Sequence, residues 1–133
     1  MRYHDTQNYE MKTDPGGALW ARGKCSFFGG ADDPMDSGAT ASGFSTKDHP
    51  DGPYVALPGP VRRKYGLPWG CRVTVENGAG EQARGFLADT GPAKETGRQI
   101  DLSPIFNVEL GIETDSVVKF YVDIHTIDER FKR

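Results

Sequence analysis

Residues 85–111, GFLADTGPAKETGRQIDLSPIFNVELG, decide how this chain is read. Two short strand-like runs, 85–88 and 99–102, each deliver an aspartate, Asp89 and Asp101. Between them lies the turn-rich segment TGPAKETG, residues 90–97. Ser103-Pro104 then reads as a helix start, because a serine oxygen can cap the first turn and proline presets its backbone angle. Gly111 suits the left-handed residue that stops such a helix. The two carboxylates stand at the two edges of one loop, so rolling these strands into a barrel brings both to one cleft.

Working outward, residues 71–76 (CRVTVE) alternate Cys71, Val73 and Val75 against Arg72, Thr74 and Glu76. That period of two marks a half-buried strand. Asn77-Gly78-Ala79-Gly80 is a tight hairpin turn, and residues 81–88 return as its partner. Residues 117–124 (VVKFYVDI) form a last strand and 128–133 a charged tail expected to fray. Upstream, residues 18–28 (ALWARGKCSFF) form a first strand with a break expected near Gly23, and 54–57 (YVAL) form a short buried one. Residues 61–65 (VRRKY) suit a single helical turn whose basic residues make a solvated face. Residues 29–48 are rich in glycine, serine and aspartate and read as a surface loop. The polar segment 1–17 reads as an arm ending in the turn Asp14-Pro15-Gly16-Gly17.

The sum is about six strands and one short helix: a mainly β chain. Closure into a barrel removes the edges that so many short strands would expose. The 17 glycines and nine prolines agree with many tight turns. A chain of 133 residues suits one domain. A net charge of −3, with no arginine-rich patch interleaved with aromatics in the sequence, argues against nucleic acid as partner. No run approaches the roughly 18 apolar residues of a membrane span. The N-terminal MRYHDTQNYEMKTDPGG lacks the apolar core of a signal peptide. Cys25 and Cys71 both fall in strand-like runs; they are either a disulfide between paired strands or two buried thiols. His4, His49 and His125 are scattered away from zinc spacing, so neither metal nor organic cofactor is expected.

Several pieces, in order, carry a resemblance: Ser26-Phe27-Phe28-Gly29, Thr40-Ala41-Ser42-Gly43, Val55-Ala56-Leu57-Pro58, Leu67-Pro68-Trp69-Gly70-Cys71-Arg72-Val73-Thr74-Val75, Ala88-Asp89-Thr90-Gly91-Pro92, and Gly97-Arg98-Gln99-Ile100-Asp101-Leu102-Ser103-Pro104. The chain resembles the double-psi β-barrel domains of bacterial cell-wall proteins: rare lipoprotein A, three-aspartate lytic transglycosylases, and the first domain of expansins. The resemblance implies a six-stranded double-psi β-barrel with one or two short helices over residues 23–124. Residues 1–22 are then an arm and lead-in, and 125–133 a charged tail. It also implies a wall glycan such as peptidoglycan as substrate, an extracellular or cell-envelope location, and a cleft around the aspartates. A monomer is expected. The chain departs from the pattern at Ala56-Leu57-Pro58, where rare lipoprotein A domains often carry a histidine and three-aspartate domains an aspartate. Residues 58–66 also lengthen that connection.

On this reading Asp89 is the general acid, its pKa raised by the neighbouring Phe86 and Leu87, and Asp101 is the supporting carboxylate. The bland alternatives are a turn aspartate capping backbone amides and an aspartate charging a helix start. Thr40 and Ser42 either bind sugar and hold Asp89, or are ordinary loop residues. Phe28, Tyr54 and Trp69 either stack on sugar rings or fill the core. His49 stands near the missing histidine but sits in a turn. The expected activity is that of a peptidoglycan lytic transglycosylase. The alternatives are an expansin-like module that grips glycan without cutting it and, more remotely, an aspartic protease built on the single Asp89-Thr90-Gly91, which would have to dimerise.

Overall fold

The computed structural model describes residues 8–29, 39–46 and 52–132. Its strands are β1 (Lys12–Thr13), β2 (Leu19–Phe27), β3 (Tyr54–Leu57), β4 (Cys71–Glu76), β5 (Gln82–Thr90), β6 (Ile100–Leu102) and β7 (Val117–Ile127). Helix α1 (Gly59–Tyr65) joins β3 to β4, and α2 (Ile105–Leu110) joins β6 to β7. Two 3-10 turns, Lys94–Thr96 and Glu129–Phe131, complete the set.

Six strands close into a barrel in the order β2–β6–β3–β5–β4–β7, with β7 returning to β2 and β1 added beside β2. The long strand β2 is shared. Residues 19–24 pair antiparallel with β7, and residues 25–27 pair parallel with β6. Strand β3 runs parallel to β5 and antiparallel to β6. Parallel pairs need crossover connections, and α1 with the start of the β4–β5 hairpin supplies the one from β3 to β5.

The alternation expected in residues 71–76 is the one observed: Cys71, Val73 and Val75 are buried, while Arg72, Thr74 and Glu76 are partly exposed. With Cys25, Val55, Leu57, Leu87, Ile100, Leu102, Phe106, Phe120 and others they form the barrel core. A second cluster, Phe44, Tyr54, Phe86 and Ala88, with Phe28 and Phe131 against it, lies on the other face of β3 and β5. The Asn77 side chain builds the β4–β5 turn. Its Oδ1 accepts from the amides of Ala79 and Glu81, and its Nδ2 donates to the Leu110 carbonyl, tying the turn to α2.

Four expectations change. Strand β2 runs through Gly23 without a break and pairs there with Val118. Ser103 does not cap α2 with its side chain. Its buried hydroxyl accepts from the Tyr54 amide instead, because that donor at the start of β3 has lost contact with water. The arm carries a strand, β1, and Tyr9 stacks edge-on to Phe120. The tail does not simply fray: β7 extends to Ile127, and Phe131 packs against Phe44 and Phe86 with ring centroids 5.8 and 5.4 Å apart. In α2, Gly111 takes the left-handed stop, φ 60°, as its position predicts.

Candidate functional site

Cross-strand register lines up four residues over four strands. Ser26 of β2 pairs with Asp101 of β6, Asp101 with Ala56 of β3, and Ala56 with Asp89 of β5. Their neighbours Cys25, Ile100, Leu102, Val55 and Leu57 are buried in the core. By the alternation of strands, Ser26, Asp101 and Ala56 therefore face outward. Asp89 joins the row because of an irregularity. Val55 pairs with Leu87, but the next residue, Ala56, pairs with Asp89, so Ala88 is the extra residue of a bulge. Such a bulge re-aims the residues beyond it.

The two carboxylates sit in different surroundings. Ser26 Oγ donates a hydrogen bond to Asp101 Oδ1. Burial pushes the Asp101 pKa up; the Ser26 bond and the Arg98 guanidinium oppose this, and the Asp89 charge adds to it. Asp89 Oδ1 accepts two backbone amides, Ala41 at 2.9 Å and Thr90 at 2.8 Å. Among the described residues Oδ2 of neither carboxylate accepts a hydrogen bond. Gly91 leaves room at Asp101 Oδ2, since a Cβ at Gly91 would lie 2.8 Å from it.

Residues 40–43 form a turn docked on the end of β5. The Ser42 amide donates to the Ala88 carbonyl at 3.2 Å. Thr40 Oγ1 donates to the Phe44 carbonyl at 2.6 Å and lies 3.1 Å from Ser42 Oγ, which accepts from the Phe44 amide. Thr40 and Ser42 thus shape the turn, and the Ala41 amide between them is what reaches Asp89. Arg98 holds Asp115 through Nε at 2.8 Å and Nη2 at 3.2 Å, which fixes a positive charge near Asp101.

No protein-family model matches this chain, and no curated protein matches it in sequence. Among solved structures it is similar to a computationally designed double-psi β-barrel protein, msDPBB_sym2. The TM-score is 0.50 over 76% of this chain and 95% of the other, at 9% identity. The fold is a double-psi β-barrel. The likeness at that identity concerns the fold alone.

In this double-psi barrel the aromatic candidates separate. Tyr54 is 0% exposed, wedged edge-on to Phe28 at 5.3 Å and tilted to Phe44 at 5.8 Å, so its ring offers no face to a sugar. Phe28 is partly buried in the same cluster. Trp69 packs on the main core under the Arg62 guanidinium, 3.8 Å from the ring centroid, so that cation covers a face of the ring. His49 lies outside the described residues.

Cys25 and Cys71 are not bonded to each other; both thiols are free and buried. Their strands are not neighbours, because β7 lies between β2 and β4. Cys25 Sγ donates to the Glu113 carbonyl at 3.4 Å. Burial pushes the Cys25 thiol up to about 11 and the Cys71 thiol up to about 12.

Sequence reasoning missed Ser26 and Gly91 as members of the site. Ser26 did carry one signal, as an outward polar position between Cys25 and Phe27. Its partner lies 75 residues away on a parallel strand, and no local pattern specifies that pairing.

Proposed function

We propose that this domain acts on a wall glycan, in the cell envelope or outside the cell, as a peptidoglycan lytic transglycosylase. The observation that carries the reading is the row Ser26–Asp101–Ala56–Asp89, which sets two carboxylates on either side of one small residue. Cleavage of a glycosidic bond needs an acid that holds its proton near neutral pH. Burial favours the protonated form of Asp101, while Asp89 Oδ1 is committed to two amides. The roles first expected are therefore exchanged: Asp101 is the acid and Asp89 the fixed charge.

In the proposed reaction, Asp101 gives its proton to the glycosidic oxygen as the bond to the anomeric carbon breaks. The negative charge of Asp89 favours the positive charge that develops on the sugar. Asp101, now a carboxylate, takes the proton of the sugar's own 6-hydroxyl as that oxygen bonds to the anomeric carbon. The product is an anhydro-sugar end, and Asp101 returns to its starting form. Ala56 leaves no third polar group between the carboxylates to activate a water, which suits attack by an internal hydroxyl better than hydrolysis.

The second reading, a module that grips glycan without cutting it, is favoured by the same Ala56 and by the capped Asp89. Digestion of purified peptidoglycan followed by mass spectrometry separates them. Anhydro ends from the wild type, lost in Asp101→Asn, are expected. Co-sedimentation with the wall and no new ends would make it a binder, and reducing ends would make it a hydrolase.

A further inference from the structure

On a different part of the barrel surface lies a cleft of about 400 Å³ that none of the aspartate-row residues lines. Gly70 and Gly85 give parts of its wall with no side chain, and Phe86, Arg72, Arg84 and Arg130 surround it. Arg72 is the register partner of Phe86, and Arg84 pairs with Thr74 two residues along β4. The two arginines are thus diagonal cross-strand neighbours on one outer face, with α-carbons about 7–8 Å apart in such pairs. Arg130 lies over the Phe86 ring, 4.6 Å from its centroid.

The charges in this cleft do not cancel. Asp128 takes Arg130 through Nε at 2.9 Å and Nη2 at 3.4 Å, and Glu129 takes Lys132 at 3.3 Å. Asp123, opposite Arg72 in register, accepts from Thr126 Oγ1 at 2.6 Å and the His125 amide at 2.9 Å, and its carboxylate is attracted by the Arg72 guanidinium without a hydrogen bond between them. Arg72 and Arg84 have no side-chain hydrogen bond or ion pair among the described residues, and the charged residues lining the cleft, four basic (Arg72, Arg84, Arg130, Lys132) against two acidic (Asp128, Glu129), leave it positive in a chain whose net charge is −3.

We infer that the cleft formed by Arg72, Arg84 and Phe86 binds a phosphate group. Two guanidiniums on adjacent strands offer forked donor pairs, which suit the several oxygens of a tetrahedral oxyanion. The aromatic wall at Phe86 lowers the local dielectric and strengthens that attraction. The group belongs either to a phosphodiester polymer or to a free phosphate metabolite. The inference does not depend on the glycan reading, because it uses neither aspartate.

The test is a titration followed by amide NMR on the whole chain, at constant ionic strength, with chloride as reference. Inorganic phosphate is one arm and a short poly(glycerol phosphate) is the other. Saturable shifts confined to Gly70, Arg72, Gly85 and Phe86 are expected in at least one arm. Arg72→Ala with Arg84→Ala should weaken binding by about tenfold or more, and the paired lysine variant, which keeps charge and loses the fork, by a smaller factor. Lys119→Ala should leave it unchanged. Tighter binding of the polymer assigns the site to a phosphodiester chain; tighter binding of phosphate assigns it to a metabolite. Scattered, unsaturable shifts in both arms, or affinity unchanged in a folded Arg72→Ala/Arg84→Ala protein, would overturn it.

Discussion

Gly91 faces Asp101 so closely that a Cβ on Gly91 would lie 2.8 Å from the carboxylate oxygen Oδ2. Its φ of 154° also lies where side chains are rarely tolerated. The loop after β5 therefore reaches the β6 aspartate through a bare α-carbon. Replacing it tests whether this approach is needed. Gly91→Ala is expected to cost about 1–3 kcal/mol in stability, from backbone strain and the close approach. It should also abolish the proposed glycan cleavage even where the protein still melts cooperatively. Thermal unfolding and the anhydro-end assay check the two parts separately.

Asp101→Asn should make the protein more stable and, in the proposed reaction, inactive. The folded chain holds the Asp101 proton more tightly than the unfolded chain does, because burial raises its pKa. The contribution to stability is full below the ordinary carboxylate pKa and is lost as pH rises through the raised one. Above the ordinary carboxylate pKa the fold must either hold a proton that the unfolded chain has released or bury the charge, each of which is a cost, and asparagine, which can still accept from Ser26, removes it. A gain of about 0.5–2 kcal/mol at pH 7, shrinking to nothing at pH 3, is expected. Denaturant melts at the two pH values decide it.

Ser26→Ala removes a hydrogen bond that lowers the Asp101 pKa. The pKa should therefore rise further. In the proposed reaction the alkaline limb of the pH–rate profile reports loss of the acid's proton, so it should move to higher pH while the protein stays folded. A pH profile that keeps its alkaline limb in place would remove Ser26 from the site.

Both thiols should resist labelling in the native state. Cys25 and Cys71 are fully buried, and burial pushes their pKa values to about 11 and 12. Thiolate is the reactive form, so a thiol reagent at pH 8 should count two thiols only after denaturation. An intact mass two hydrogens short, from protein purified without reductant, would contradict the free pair.

Deleting the last residues tests the tail. Removing residues 129–133 takes away Phe131, which stacks on Phe44 and covers Phe86. The loss should be about 1–3 kcal/mol, below the range for a fully buried aromatic because Phe131 is only partly buried. A melt unchanged from the full chain would return the tail to its expected frayed state.

Much of the barrel was legible in the sequence because its cues are local. A period of two in residues 71–76, the Asn77–Gly80 turn, and Pro104 with Gly111 around a short apolar run each depend only on a few adjacent residues. Those segments became β4, its hairpin and α2. The two aspartates were legible as a pair because both border one loop. The order of resembling motifs pointed to the double-psi topology that the barrel has.

What only the tertiary structure decided is which neighbour each residue acquired. The parallel pairing of β2 with β6 brings Ser26 to Asp101, and one bulge at Ala88 brings Asp89 into the same row. Placing β7 between β2 and β4 keeps the two cysteines apart. The burial that raises the Asp101 pKa comes from the strands packed around β6, not from its neighbours in sequence alone. A carboxylate's chemistry follows from the solvent it loses and the donors it meets, and both are set by strands far away along the chain.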